Sequence, residues 1–217
     1  MARPSQPLIN RSAAVAAATK IIDTEGLEAL SVLRLARELG VKAPSLYHHF
    51  ADKSAILAAV SRAIIAQTVV PRKPGPERWP EWFVQLSVNS RKVILRHRNA
   101  APLLLQYLPR QLLTTQYDEA ARYLEENGVP ACLHVQILDG LETLTYGAAI
   151  AGAMGPSNVR KAIFPGVQAD RYPALARALA ANPYTARQLF EESIRNFLYG
   201  VLDNAGVIHP PPSRLTA

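Results

Sequence analysis

The sequence predicts an all-α fold, in which a small N-terminal three-helix domain precedes a larger antiparallel helical bundle. Alanine and leucine dominate the 217-residue chain, which is 49% hydrophobic, and both residues favour helices. Apolar residues recur at helical spacing between short segments rich in proline and glycine. No segment shows the alternation expected of a convincing strand. The length suits one large domain or two small ones.

The first predicted helix follows an arm of irregular composition. Residues 1–9 contain two prolines and no periodicity, so a flexible arm is expected there. Asn10 or Ser12 caps a helix that runs to about Glu25, and Gly26 stops it. The expected buried face of this helix consists of Val15, Ala18, Ile21 and Ile22.

Three short helices are expected next, each with its own start or stop signal. Ser31 and Asp52 are the expected N-caps of the first and the third, Gly40 ends the first, and Pro44 occupies the first turn of the second. Proline costs nothing in a first turn, because its missing N–H would be unpaired there. The expected helices cover about Val32–Leu39, Ala43–Phe50 and Lys53–Val70.

The segment Pro71–Pro80, PRKPGPERWP, is the strongest break in the chain. A loop rich in proline and glycine is expected over Gly155–Pro173, and a disordered tail from His209. The remaining helices are expected over about Glu81–His97, Ala100–Leu108, Gln111–Asn127, Ala131–Met154, Pro173–Ala181 and Thr185–Ala205.

Composition indicates which cellular compartment and which classes of binding partner to expect. The net charge of +7 favours polyanions as partners, but residues 1–53 carry only +2 of it. The single cysteine, Cys132, excludes an intrachain disulfide and suits a reducing compartment. No signal peptide or membrane span is apparent, so a cytoplasmic protein without a membrane partner is expected. Cys132, His134 and His97 lack the further ligands of a metal site, so no metal is expected.

The stretch Leu30–Phe50 has three features of a helix-turn-helix, in which one helix braces the backbone and the next enters the major groove of DNA. Gly40 tolerates the positive φ that the turn needs. Leu35, Ala36 and Leu39 are small or apolar enough for a close helix crossing. Leu46 anchors the second helix and leaves its other faces free.

At these residues the sequence resembles the N-terminal domain of TetR-family transcriptional repressors. The resemblance covers about Ser12–Val60 and includes the leading helix, the LGV turn, the SLY-H-F run and the DK pair that opens the fourth helix. Farther along, VILRHRNAAPLLL and TTQYDEAARYLEENG resemble the ligand-binding part of the tetracycline repressors within the same family.

The resemblance implies a set of DNA-facing positions. Ala43 and Pro44 suit apolar contact with a thymine methyl group, and Ser45 and His48 suit hydrogen bonds to base edges. The complete expected set is Arg34, Lys42, Ala43, Pro44, Ser45, Tyr47, His48, His49 and Lys53.

The phosphate backbone is the expected partner of Tyr47, His49 and Lys53, the last helped by the N-terminus of its helix. Leu33 stands where many relatives carry an arginine to the phosphates. Arg34 is therefore expected to compensate, or the affinity for DNA to be lower.

The resemblance also implies an effector cavity among the C-terminal helices, with ordinary core packing as the alternative for each residue. The tetracycline repressors hold their drug and a magnesium ion with polar side chains, and Leu104 replaces the metal-binding histidine. An apolar, metal-free site for a lipophilic effector other than magnesium–tetracycline is expected, without a cofactor. The expected lining is Trp82, Phe83, Leu86, Ser90, Leu104, Tyr107, Gln116 and Tyr123.

Small residues along Gly140–Met154, with the apolar residues of Phe190–Val201, resemble the helix pairs of the family's dimeric four-helix bundle. Packing within one subunit is the alternative. A homodimer is expected, because one short recognition helix contacts few base pairs.

These expectations define two domains, with residues 1–53 for DNA binding and residues 54–217 for ligand binding and dimerisation. The expected function is repression at palindromic operator DNA, relieved by the effector. The alternatives are an activator or constitutive DNA-binding regulator, and an all-α enzyme or carrier of an apolar molecule. An enzyme is not expected, because the sequence lacks a recognisable nucleophile set, catalytic carboxylate pair or phosphate loop.

One basic cluster is left without a firm role. Arg91, Lys92, Arg96 and Arg98 are interpreted as a solvated helix face. Attraction of DNA or of an acidic effector is the alternative for these four residues.

Overall fold

The structure is a computed structural model that describes residues 10–107, 110–155, 164 and 166–212, without the side chains of residues 111 and 112. The described residues form α-helices joined by short 3₁₀ turns and loops, and contain no strand, which confirms the all-α prediction. The helices are α1 (Arg11–Glu25), α2 (Val32–Glu38), α3 (Ala43–Tyr47), α4 (Lys53–Ile65), α5 (Trp79–Arg96), α6 (Ala101–Gln106), α7 (Arg110–Glu126), α8 (Ala131–Met154), α9 (Pro173–Ala181) and α10 (Ala186–Asn204).

Local signals set the ends of the N-terminal helices as expected. Asn10, Ser31 and Asp52 cap α1, α2 and α4, each accepting a backbone N–H three residues ahead at 2.7–3.0 Å. Gly26 ends α1, and Gly40 after α2 has a φ of +67°. These turns place three helices in sequence within about forty residues.

Two helices are shorter than the sequence suggests. The prediction carried α3 to Phe50, but the N–H groups of both His49 and Phe50 donate to the Leu46 carbonyl as the helix closes. The prediction carried α4 to Val70, but Gln67 and Thr68 donate to Ile64 and Ile65 in a tightened last turn. Helical propensity alone does not show where such a turn closes.

The described chain folds into two compact units, and the first is discontinuous in sequence. It contains the residues up to Thr68 together with Val93–Thr114. Its apolar core joins α1, α2, α3 and α4 to residues that follow α5. The most deeply buried members are Ala14, Ala18, Ile21, Ile22, Leu30, Leu35, Leu46, Val60, Ile64, Ala100 and Leu103.

Polar contacts tie the returning stretch of the first unit to α1 and α4. The ring nitrogens of His97, which is 8% exposed, lie 2.8 Å from the Asp23 carboxylate and 3.2 Å from the Gln67 amide oxygen. The Ser61 hydroxyl of α4 donates to the Tyr107 carbonyl at 2.6 Å. Residues far apart in sequence thereby hold the C-terminal half of α4.

The second unit contains Val69–Lys92 and the described residues from Thr115 onward. Arg195 of α10 donates from two guanidinium nitrogens to both carboxylate oxygens of Glu81 on α5, each at 3.0 Å. The helices α8 and α10 pack closely, because a Cβ at Gly140 would overlap the ring of Phe197. A small residue is therefore needed at this crossing.

Several sequence predictions concern segments outside the described residues. They include the arm of residues 1–9, residues 156–163 and 165 of the expected loop, and the end of the C-terminal tail. The expected disorder from His209 is wrong for that residue, whose Nε2 lies 2.8 Å from the Asp203 carboxylate and whose ring packs against Tyr199. No helix among the described residues is long and apolar enough to cross a membrane.

Candidate functional site

The exposed face of α3 is the most distinctive surface of the first unit. Leu46 is buried and anchors the five-residue helix against the core. Tyr47 on the opposite side is 56% exposed, although large aromatic side chains usually pack inside. Pro44 and His48 are also exposed. One buried anchor thus leaves most of α3 free to contact a partner.

The other predicted DNA-facing residues surround this face. Lys42 is exposed before α3, and Lys53 is exposed at the first position of α4. Ala43, Ser45 and His49 are half-buried. The structure therefore brings these residues together within the loop–helix–loop segment from Lys42 to Lys53.

Arg34 of α2 has a different environment. Its guanidinium pairs with Glu25 of α1 and with Glu38 one turn along α2, and both contacts are short. Hydrogen bonds that Arg34 donates to Glu25 and then to Glu38 raise its pKa above the ordinary value. The neighbouring Leu33 is 69% exposed. The ion pairs of Arg34 therefore connect α2 to α1.

Arg11 is a basic residue beside α3 that the sequence analysis did not identify. Its guanidinium donates to the His49 carbonyl at 2.7 Å and lies 4.7 Å from the centre of the Phe50 ring. Because Arg11 and His49 are 38 residues apart, no local pattern links them. The first residue of α1 therefore braces the end of the predicted recognition helix.

Three of the predicted effector-site aromatics form one cluster in the second unit. The ring centre of Trp82 lies 4.8 Å from that of Phe83 and 5.3 Å from that of Tyr123, with edge-to-face geometry at both contacts. Phe83 and Tyr123 stack at 6.0 Å. Such arrangements suit the ring quadrupoles. The Trp82 indole N–H donates to the Pro71 carbonyl, so its polar atom is satisfied.

Tyr123 contributes an unusual polar group to this cluster. The residue is 5% exposed, and its buried hydroxyl has no hydrogen-bond partner among the described residues. Burial, and then the charge of Glu126, raises the pKa of Tyr123. Lys73 lies 4.3 Å from the ring centre and pairs with Glu126 at 3.0 Å. The phenol is thus a buried neutral donor without an acceptor.

The remaining predicted effector-site residues have varied surroundings. Ser90 is half-buried and its hydroxyl donates to the Leu86 carbonyl at 2.9 Å, whereas Gln116 is exposed. Leu104 and Tyr107 belong to the first unit, the former buried and the latter half-buried.

The interpretation of the basic cluster on α5 as a solvated face is wrong for Arg91. Lys92 and Arg96 are exposed, but Arg91 is half-buried, with its guanidinium carbon 5.0 Å from the ring centre of Phe190. Burial, and then the charge of Arg187, lowers the pKa of Arg91. No group of three histidine, cysteine or carboxylate side chains in the described chain could hold a metal ion.

Known proteins share both the sequence pattern and the fold. Residues 14–60 match the family described as "Bacterial regulatory proteins, tetR family". The tetracycline repressor protein class E of Escherichia coli is 29% identical over 137 residues, which are 63% of this chain. The chain spans about 65% of the length of that repressor.

Solved structures extend the similarity to the whole fold. Apo ActR from Streptomyces coelicolor has a TM-score of 0.75 and 24% identity, covering 93% of this chain and 99% of that one. ActR in complex with actinorhodin has a TM-score of 0.72 and 24% identity, covering 91% and 99%. The chain is thus similar to tetR-family regulatory proteins in sequence over its helix-turn-helix segment and to ActR in fold.

Proposed function

We propose that this protein is a ligand-responsive transcriptional repressor that binds palindromic operator DNA as a homodimer and leaves it when a small lipophilic effector binds. The observation that carries the proposal is the exposed face of α3, within the segment that matches the family. The relatives described above are regulators and not enzymes. A cytoplasmic location would follow from the DNA partner.

DNA recognition is assigned to residues 1–53, although the compact unit around them is larger. Exposed side chains of α3 would meet base edges, while Lys53 would meet a phosphate at the N-terminus of α4. The geometry of Arg34 supports a bracing role rather than a free phosphate contact, since two carboxylates already bind it. Arg11 is added as a second brace at the end of α3.

Effector binding and dimerisation are assigned to residues 54–217. The aromatic cluster of Trp82, Phe83 and Tyr123 would supply apolar contacts, and the unpartnered phenol of Tyr123 would donate to an acceptor on the effector. An apolar site with few polar anchors is typical of small-molecule pockets. Leu104 and Tyr107 lie in the first unit. Their assignment to the effector site therefore rests on the resemblance alone.

The dimer interface is assigned to the exposed side of α8. Steps of four residues along this helix trace an exposed stripe of Val135, Asp139, Thr143, Gly147 and Ala151, and the part of the stripe from Thr143 to Ala151 has only small side chains. Val135 is 77% exposed, and a Cβ at Gly147 would meet nothing within 4 Å. Small and apolar residues suit the close approach of a second helix pair. A partner subunit would bury this face.

Coupling between effector and DNA is assigned to α4. The Ser61 hydroxyl donates to the carbonyl of Tyr107, one of the proposed effector contacts. A shift at Tyr107 would therefore move α4, whose N-terminus follows the recognition helix. Two recognition helices fit successive major grooves only about 34–36 Å apart, so a change of tilt would weaken binding. Typical coupling of about 1–3 kcal/mol corresponds to about 5–150-fold.

Selection of bound duplexes from a random pool tests the proposal directly. The full-length protein should enrich a palindrome, and the enriched duplex should then shift in a gel with the purified dimer. An enriched site without two-fold symmetry would contradict the dimeric repressor, and failure to bind any duplex would exclude DNA binding. Addition of magnesium–tetracycline should leave the shifted band unchanged, because Leu104 cannot ligate a metal ion.

A further inference from the structure

Arg91 is a residue of the α5 basic cluster whose guanidinium lies against an aromatic ring. Its guanidinium is over Phe190, which belongs to the same apolar cluster as Trp82, Phe83 and Tyr123. On α5, Arg91 follows Phe83 by eight residues, or about 12 Å along the helix axis. A positive charge thus lies against a member of the apolar cluster that contains the aromatic group proposed to contact the effector.

One of the three guanidinium nitrogens of Arg91 is left unpaired within the described chain. Its Nε is buried and has no hydrogen-bond partner there. Glu191, an acidic group whose charge acts on Arg91, accepts from Arg187 at 2.7 Å and is itself buried. An arginine that loses water without gaining an acceptor is unfavourable, because buried charges are normally paired.

The charges around Arg91 leave an excess of one positive charge. Arg91 and Arg187 are cationic, and Glu191 supplies the only negative charge among these three neighbours. The lowered pKa of Arg91, caused first by burial and then by Arg187, shows that Glu191 does not offset these two effects. Planar guanidinium groups bind carboxylates and similar anions through two parallel hydrogen bonds.

We propose that Arg91 recognises an anionic group on the effector, so that the natural ligand is an aromatic or otherwise apolar molecule carrying one acidic function. The apolar body would lie against the aromatic cluster and the anion would meet the guanidinium above Phe190. This inference rests on the proposed effector site and names the class of molecule that it takes. It adds an acidic group to the lipophilic effector proposed above.

Two fluorescent probes of nearly identical shape test this assignment. 8-Anilinonaphthalene-1-sulfonate carries a sulfonate that N-phenyl-1-naphthylamine lacks, and the two share the same ring system. In Arg91→Met the dissociation constant of the anionic probe should rise at least tenfold, while that of the neutral probe should change less than threefold. Titration of the full-length protein by fluorescence gives both constants.

Control variants separate this site from general charge effects. Lys92→Met removes an exposed charge from the neighbouring position and should leave both constants within threefold. Arg91→Lys keeps the charge without the planar fork and should lose part of the affinity for the anionic probe. It also provides a conservative variant if Arg91→Met does not fold.

The outcomes distinguish this inference from the function on which it rests. If the native protein binds the neutral probe and Arg91→Met weakens only the anionic one, the assignment is supported. If both probes bind equally well to native protein and Arg91→Met, the anion site is wrong and the apolar effector site stands. If neither probe binds the native protein, the proposed effector site fails together with this inference.

Discussion

At the scale of single residues, Tyr47 is an exposed side chain available to a partner, whereas the residue before it packs in the core. Its neighbour Leu46 is almost fully buried, so the anchor of α3 does not depend on the tyrosine ring. A side chain that is mostly exposed contributes little to folding, and its substitution usually changes stability by less than about 0.5 kcal/mol. A substitution of Tyr47 should therefore change the affinity for the partner that the ring contacts, and not the stability of the fold.

Tyr47→Ala should weaken operator binding by about tenfold, as expected for losing one hydrogen bond to a charged phosphate. Titration in a gel-shift assay gives the affinity, and thermal unfolding monitored by circular dichroism should remain unchanged. Tyr172→Ala is a matched control, since Tyr172 is 45% exposed and lies in the second unit. Equal affinities for native protein and Tyr47→Ala would remove Tyr47 from the proposed interface.

Gly40 is a position where a larger residue would strain the backbone without overlapping a neighbouring atom. Its φ is +67°, and a Cβ built there would meet nothing within 4 Å. Gly40→Ala should therefore lower the free energy of unfolding by about 1 kcal/mol through backbone conformation alone. Urea denaturation measures this change. Gly40→Asn should cost less, because asparagine tolerates the left-handed region, and an equal loss for both variants would contradict this account.

Residues with local roles could be identified from the sequence, whereas residues joined across long separations could not. Gly40, Leu46 and Asp52 follow from spacing and capping, and the structure confirms each. The contact between Arg11 and His49 could not be predicted from the sequence around either residue. Arg91 resembles the exposed lysine next to it until the position of Phe190 is known.

At the scale of elements, helix starts were predictable and some helix ends were not. Pro130 precedes α8 and Pro173 is the first residue of α9, and both helices begin where the sequence predicted. The end of α4 depends instead on Gln67, whose amide oxygen faces His97 from 30 residues away. Tertiary contacts of this kind override local helical propensity.

The bonds of His97 should contribute measurably to the stability of α4. His97→Ala removes the contacts to Asp23 and Gln67 and opens a buried site, so the free energy of unfolding should fall by about 2–4 kcal/mol. Chemical denaturation measures the loss, and amide hydrogen exchange should locate it near Gln67 and Thr68.

Arg96→Ala is the control for His97→Ala, because Arg96 is the preceding residue and is exposed. Its unfolding free energy and its exchange pattern should equal those of the native protein. If His97→Ala behaves like Arg96→Ala, the histidine does not fix the end of α4.

At the scale of the whole molecule, the exposed stripe of α8 is expected to determine the oligomeric state. Gly147→Glu places a charge on the face proposed to meet a second subunit, and should convert the dimer into monomers at micromolar concentration. Sedimentation velocity measures the mass. Operator affinity should fall in parallel, because a monomer presents a single recognition helix.

Thr115→Glu introduces the same charge at an exposed position of α7 in the same unit. This control should remain dimeric and bind the operator normally. A dimeric Gly147→Glu would place the subunit contact elsewhere on the molecule.

The discontinuous first unit restricts how this regulator can be divided or recombined. A clone that stops at Thr68 would lack Ala100 and Leu103, which complete the core, and His97, which bonds to α1. Chimeras that transplant operator specificity onto another sensor should therefore carry two inserts, one at the amino terminus and one over residues 93–114. A single splice junction would expose apolar surface on both products and favour aggregation.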